Sequence, residues 1–458
     1  MLKKLFGPTD MTVGTPWKSI LLFTFPMILG NIAQQLYNTV DTIVVGKYIG
    51  DNALSAVGSA GPIVNMLLAL FIGISSGASI MVAQYFGAKS RKDLSHTIGN
   101  CITITAIACL ILIVVAAPLI RPVLELLNTP ASIIDSCAGY LMISVIGGVG
   151  IAYYNILSGI IRGMGDSVSA LIYLLVATVI NIVLDILFVA KFNLGVPGVA
   201  LATVIAQIVS SILCLFKLSR MQEHFDFRLS FLKPKAHYVK TIIRLGLPAG
   251  LTQAIFSSAM IVVQALTNQF GEQFIAANVV IMRVDGFAMM PNFSFGTALT
   301  TYAGQNVGAG LYDRVTKGAK QGTALAVACS AVITCIILLF GKGLMGIFTD
   351  TRELVELSYY LMKLLAVGYI AVAVTQSLSG IMRGAGDTMT PMWISLLTTV
   401  VFRVPLAYGI SWLTRTPELP IGRFECIHIS LLSAWVMGAA ITFFFYRRGK
   451  WKTKAIKR

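Results

Sequence analysis

The chain has 458 residues, a mean hydropathy of +0.81 and 12% charged residues. That is half the ~25% usual in soluble domains, which excludes an ordinary soluble enzyme and places the chain in a bilayer. The formal net charge of +16 does not imply a nucleic-acid partner, because the basic residues alternate along the chain as loops do across a membrane. Twelve apolar runs can each supply the ~20 residues that a spanning helix needs. They lie at about 17–46, 53–83, 96–120, 134–160, 168–191, 197–218, 243–269, 274–304, 318–340, 354–381, 389–413 and 426–446. Such runs lack the alternation of barrel strands, so helices are the spanning form. The first sixteen residues are too polar for a cleavable signal peptide.

One decapeptide pattern occurs twice. Ser158-Gly-Ile-Ile-Arg-Gly-Met-Gly-Asp-Ser167 returns 221 residues later as Ser379-Gly-Ile-Met-Arg-Gly-Ala-Gly-Asp-Thr388, identical at seven of ten positions. Gln84-Tyr85-Phe86-Gly87-Ala88 answers Gln305-Asn306-Val307-Gly308-Ala309, and Pro26 answers Pro248. The expected architecture is therefore an all-α polytopic membrane protein, with twelve transmembrane helices in two pseudo-symmetric six-helix bundles. Six spans per repeat make the repeat parallel, and a duplicated apolar unit marks a secondary transporter with its substrate site between the halves. The expected organisation is a segment 1–16, a bundle 17–218, a basic linker 219–242, a bundle 243–446 and a basic tail 447–458. With the N-terminus in the cytoplasm, 25 of the 35 Lys and Arg fall in the tails and even-numbered loops. That bias puts both termini in the cytoplasm of a multi-pass inner or plasma membrane protein, and sets the tail against anionic headgroups. A monomer is expected.

The seven cysteines contain no C-x-x-C pair and the four histidines no ligand spacing, so neither a disulfide framework nor a metal site is expected. With no phosphate-cradling G-x-x-x-x-G-K-[ST] loop either, the work falls to an ion gradient. No cofactor is expected beyond a coupling ion, H+ or Na+.

Acids buried in hydrocarbon are costly and usually mark an ion path. Asp41, Asp185 and Asp285 lie deep in apolar runs. Gln34, Tyr37 and Asp41 are spaced i, i+3, i+7 and share one helical face, as do Thr178, Asn181 and Asp185, while Thr203 and Gln207 stand one turn apart. Three polar stripes can thus meet in the first bundle, where Asp41 and Asp185 with Asn181 and Thr203 suit a proton, or a sodium ion held by hard oxygens. Gln34, Tyr37, Asn155, Gln207, Asp285 and Arg283 are candidate cavity residues. Asp285 and Arg283 point about 200° apart on one helix and cannot simply pair. Asp285 reads equally as a cation contact or a structural bridge, Arg283 as bound to carbonyls or a polar partner across the cavity, and Arg403 as structural. In the repeated loops, Arg162, Gly163, Gly165 and Asp166 and their counterparts Arg383, Gly384, Gly386 and Asp387 form candidate hinges or gates. The glycines allow a tight turn, Asp166 or Ser167 and Asp387 or Thr388 cap the following helix, and the arginines anchor at the interface.

The order Pro26…Gln34-x-x-Tyr37-x-x-x-Asp41, Val44-Val45-Gly46, Ala56-Val57-Gly58, Gln84-Tyr85-Phe86-Gly87-Ala88, the two R-G-x-G-D loops and Val196-Pro197-Gly198 resembles the multidrug and toxic compound extrusion (MATE) family. The resemblance runs from about Pro16 to Tyr446 and is greatest to the proton-coupled, DNA-damage-inducible branch, with whose essential aspartates Asp41 and Asp185 align. It implies an antiporter that exports small organic cations against inward protons or sodium and confers drug resistance. The second bundle does not repeat the acids, since Val262 and Leu406 lie 221 residues on. Phe256 stands where the sodium-coupled branch has a glutamate. Two alternatives are a flippase of lipid-linked saccharide, which would want several deep cations for its pyrophosphate, and an intramembrane aspartyl protease. The protease reading suffers from a duplicated G-x-G-D and the absence of any Tyr-Asp dipeptide.

Overall fold

The structure is a computed structural model describing residues 7–48, 51–126, 129 and 134–456, without the side chains of 38, 41–48, 51–63, 65, 66 and 126. Its described regular structure is helical: α1 Pro16–Tyr48, α2 Asp51–Gly87, α3 Arg91–Leu126, α4 Ile134–Gly163, α5 Ser167–Asp185, α6 Gly195–Ser219, α7 Ala236–Thr267, α8 Glu272–Gly308, α9 Tyr312–Gly346, α10 Arg352–Ala366, α11 Gly368–Gly384, α12 Met389–Leu396, α13 Val404–Leu413 and α14 Cys426–Arg447. Among the described residues, eleven helices are long and apolar enough to cross a bilayer, and the pair α10–α11, bent by 46°, gives twelve when taken as one span. Their outward faces carry leucine, isoleucine, valine and phenylalanine, as a chain solvated by lipid requires. The tenth span is broken at Val367-Gly368, and side chains of its neighbours satisfy carbonyls at the break: Thr334 donates to Ala366 O at 2.8 Å and Asn292 to Tyr369 O at 3.3 Å.

Two spans contain π-helical segments. Ile186–Lys191 continues α5 and Leu397–Arg403 joins α12 to α13. Segments of this kind, frequent at functional sites, have no signature in composition and were not expected.

The chain clusters into two compact units. One holds Met1–Asp10 and Phe25–Gly250, the other Met11–Thr24 and Leu251–Arg458. The first turns of each repeat thus belong to the unit built mainly by the other repeat, and both boundaries fall beside the aligned prolines, Pro26 and Pro248, which lie inside α1 and α7. In the first unit, Gly246 of α7 packs backbone to backbone on Gly73 of α2. In the second, Met11 N–H donates to Gln305 at 2.8 Å, and Arg314 donates to the carbonyls of Gly14 and Val13 at 2.7 Å each.

The repeat extends to its contacts. In the first unit α4 crosses α2 with Gly159 against Ser75 and Gly163 against the Ser79 carbonyl. In the second, α11 crosses α8 with Gly380 against the Gly296 carbonyl and Gly384 against that of Thr300, each pair shifted by 221 residues. A Cβ at any of these glycines would collide with the facing helix, so close crossing is what they provide.

The expected linker 219–242 is shorter in the structure, because α7 begins at Ala236. It is clamped to the start of α3. Arg91 pairs with Asp226 at 2.7 Å and donates to the Glu223 and Gln222 carbonyls, Asn100 accepts from Lys235 N–H at 2.7 Å, and Thr103 donates to Leu232 O at 2.6 Å.

Candidate functional site

In the first unit, α1, α5 and α6 converge on one hydroxyl. Thr203 Oγ1 accepts from Tyr37 Oη at 3.0 Å and from Asn181 Nδ2 at 3.4 Å. Asn181 and Asp185, one turn apart on α5, are fully enclosed, and Tyr37 is 6% exposed. Asp185 is the last residue of α5 before the π segment, so the change of helical register starts at the buried acid. The expected stripes therefore do meet, at Thr203, Tyr37 and Asn181. The side chain of Asp41, one turn beyond Tyr37, lies outside the described residues.

The other expected members are less concentrated. Gln34 is half-buried. Gln207, one turn from Thr203, is buried, and its side-chain oxygen has no partner among the described residues. Thr178 Oγ1 donates to its own helix at Leu174 O. Asn155 also turns to its own helix, donating to Ile151 O at 2.8 Å, while its carbonyl accepts from Ser75.

The second unit assembles a different group. Tyr369, at the break between α10 and α11, donates to Asp285 Oδ1 at 2.8 Å. Arg403, at the end of the π segment, is 8% exposed, and its Nε has no hydrogen-bond partner among the described residues. His428 at the start of α14 is buried, edge-on to Phe274. Arg283 is exposed and makes no hydrogen bond or ion pair among the described residues, which corrects the expectation that it would find carbonyl or cross-cavity partners. The 200° separation on α8 turns it away from the interior that Asp285 faces. Tyr369 and His428 were missed by sequence reasoning, and the one available signal was Gly368, a helix breaker beside a tyrosine in an apolar run.

The repeated loops behave alike. Gly165 and Gly386 have φ of +90° and +98°, a backbone that glycine adopts without cost. Asp166, not Ser167, caps α5, accepting from Ser169 N–H at 2.9 Å and Ser169 Oγ at 2.7 Å. Asp387, not Thr388, does the same for α12 through Thr390 N–H and Oγ1, at 3.2 and 2.8 Å. Asp166 also pairs with Lys217 at 3.2 Å. Arg162 donates back to Ser158 at 3.3 Å. The two aspartates are thus taken up as helix caps, which accounts for a G-x-G-D in each repeat without any protease chemistry. Among the described residues, no group of three or more His, Cys, Asp or Glu could hold a metal ion.

A MOP superfamily transporter from Pyrococcus furiosus superposes with a TM-score of 0.89 at 23% identity, over 96% of this chain and 97% of that one. The probable multidrug resistance protein YoeA of Bacillus subtilis is 28% identical over 449 residues, 96% of each chain. The probable multidrug resistance protein NorM of Thermotoga maritima is 26% identical, over 96% of this chain and 94% of its own. The MatE family model matches twice, at residues 26–187 and 248–409, once per repeat. With its twelve spans, this multi-pass membrane protein belongs to the MatE family of transporters.

Proposed function

We propose that the protein is a multidrug efflux antiporter of the plasma membrane, with both termini cytoplasmic, exporting lipophilic organic cations by alternating access in exchange for protons. The observation that carries this reading is the fully enclosed Asp185 beside the Tyr37–Thr203–Asn181 knot, on the face toward which Asp41 is spaced. A buried carboxylate favours a bound cation when ionised and releases it when protonated. Protons entering from the acidic side would discharge the drug outward, and the ligand shifts the carrier only because its two protonation states differ in affinity. The same oxygens suit sodium, and Phe256, standing where the sodium-coupled branch has a glutamate, favours the proton.

Against a lipid-linked saccharide flippase, which would want several deep cations for its pyrophosphate, Arg283 of the second unit is exposed. The test is dye efflux from proteoliposomes with proton and sodium gradients imposed separately. Export driven by the proton gradient alone, and lost in Asp41→Asn, is expected. Uphill export by Asp41→Asn at the wild-type rate would overturn the mechanism, and export driven by sodium alone would replace the ion.

A further inference from the structure

The tail beyond α14 has the composition of a disordered arm, yet it is folded. From Cys426 onward the chain contains no acidic residue. Five cations, Arg447, Arg448, Lys450, Lys452 and Lys454, fall within eight positions, all exposed. Like charges this dense repel one another and normally leave a segment extended. Here Gly449, at φ +72°, reverses the chain after α14, and a 3₁₀ turn, Lys450–Thr453, follows. Trp451 holds that turn in place: 2% exposed, its ring lies stacked on Tyr446 at 5.5 Å and 10°, and its Nε1–H donates to Tyr446 O at 3.0 Å. Lys452 N–H and Lys454 N–H close back on Gly449 O and Trp451 O, both at 3.1 Å. None of the five cations has an ion-pair partner among the described residues.

The depth of this hook follows from the helix that carries it. Phe443, Phe444 and Phe445 are all exposed in the last turns of a spanning helix, where aromatic side chains meet the boundary between hydrocarbon and headgroups. The five cations therefore emerge at the level of lipid phosphates.

We infer that the Arg447–Lys454 hook is a preformed seat for anionic lipid headgroups, with Trp451 fixing the cations so that headgroup phosphates bind without first ordering the chain. Fixing them in advance removes an entropic cost that a flexible arm would meet on binding. Each cation at an anionic surface contributes about a fivefold preference, so the arrangement discriminates sharply between neutral and anionic bilayers. This inference is independent of the transport reading.

The test uses the full-length protein in nanodiscs of phosphatidylcholine, alone or with added phosphatidylglycerol, following amide hydrogen exchange across residues 447–456. Exchange should slow at least about fivefold when phosphatidylglycerol is present and recover in high salt. The combined variant Arg447→Gln, Arg448→Gln, Lys450→Gln, Lys452→Gln, Lys454→Gln should exchange alike in both bilayers. Trp451→Ala keeps every charge but releases the turn, so it should lose most of the slowing. Equal exchange of the wild type in the two bilayers would overturn the seat. So would full slowing in Trp451→Ala, which would make charge alone sufficient, or slowing in neutral nanodiscs on adding a soluble polyanion.

Discussion

The two units share a scaffold and differ in chemistry. Glycine crossings at α4 on α2 and at α11 on α8, positive-φ glycines at 165 and 386, and aspartate caps at 166 and 387 all recur. The polar interiors do not. The first unit brings the Tyr37 hydroxyl and the Asn181 amide onto Thr203, with Asp185 one turn from Asn181. The second sets Asp285 against the Tyr369 hydroxyl. Backbone approach and capping tolerate few residue types, whereas interior polar positions can diverge once the helices are placed. Coupling is proposed in the first unit because its acid, Asp185, is fully enclosed next to the Thr203 knot.

The sharpest break in the symmetry should come from the acids. Asp185→Asn should reduce proton-driven dye export by about 5–150-fold, the span of a normal coupling energy. Asp285→Asn, whose side chain is held by the Tyr369 hydroxyl, should leave export uphill and dependent on the proton gradient. Measured in the same proteoliposomes, equal loss in both variants would mean that the units share the coupling.

The glycines test what the units have in common. Gly165→Val and Gly386→Val force a β-branched residue into left-handed backbone at a cost of about 1–3 kcal/mol each. Both should lower thermal stability in detergent. At Gly165 the added Cβ would also strike the backbone of Thr9. Gly195→Val, at φ +61° with open space around it, shows the conformational cost alone.

The caps give a smaller and asymmetric effect. Alanine at either Asp166 or Asp387 should cost about 1 kcal/mol of stability through the lost cap. Asparagine still caps, so Asp387→Asn should be nearly silent, while Asp166→Asn loses the pair with Lys217 and should shift the melting temperature downward. The smallest effect belongs to the linker clamp. Its hydrogen bond from Arg91 holds the Asp226 carboxyl below the usual range. A depressed carboxyl stabilises the fold above its unfolded pKa, and that contribution fades as pH falls through its folded value. Loosening of residues 220–235, read by proteolysis, should therefore appear only on strong acidification, and Asp226→Asn should remove the pH dependence.

Much of this was legible in the chain because it is local. Spans follow from runs of apolar residues, the repeat from one decapeptide, the caps from aspartate after glycine, and the Thr203 knot from i, i+3, i+7 spacing on two helices and an i, i+4 pair on a third. The Asp285–Tyr369 bond was not legible, because its partners are 84 residues apart on helices whose facing depends on a break at Gly368. The π segments escaped because a shifted hydrogen-bond register leaves side-chain composition unchanged.

The exchange of first turns between the units bears on how the chain is made. Met11 leaves the ribosome well before its hydrogen-bond acceptor, Gln305, which follows 294 residues later. Domains emerging during synthesis generally complete themselves in order, N-terminal first. Here the second unit includes Met11–Thr24, and the first remains incomplete until Gly246 and Gly250 have been translated beyond the linker. Maturation of the transporter is thus a late, whole-chain event, and a truncated nascent chain should be held by chaperones or degraded rather than released as a finished half.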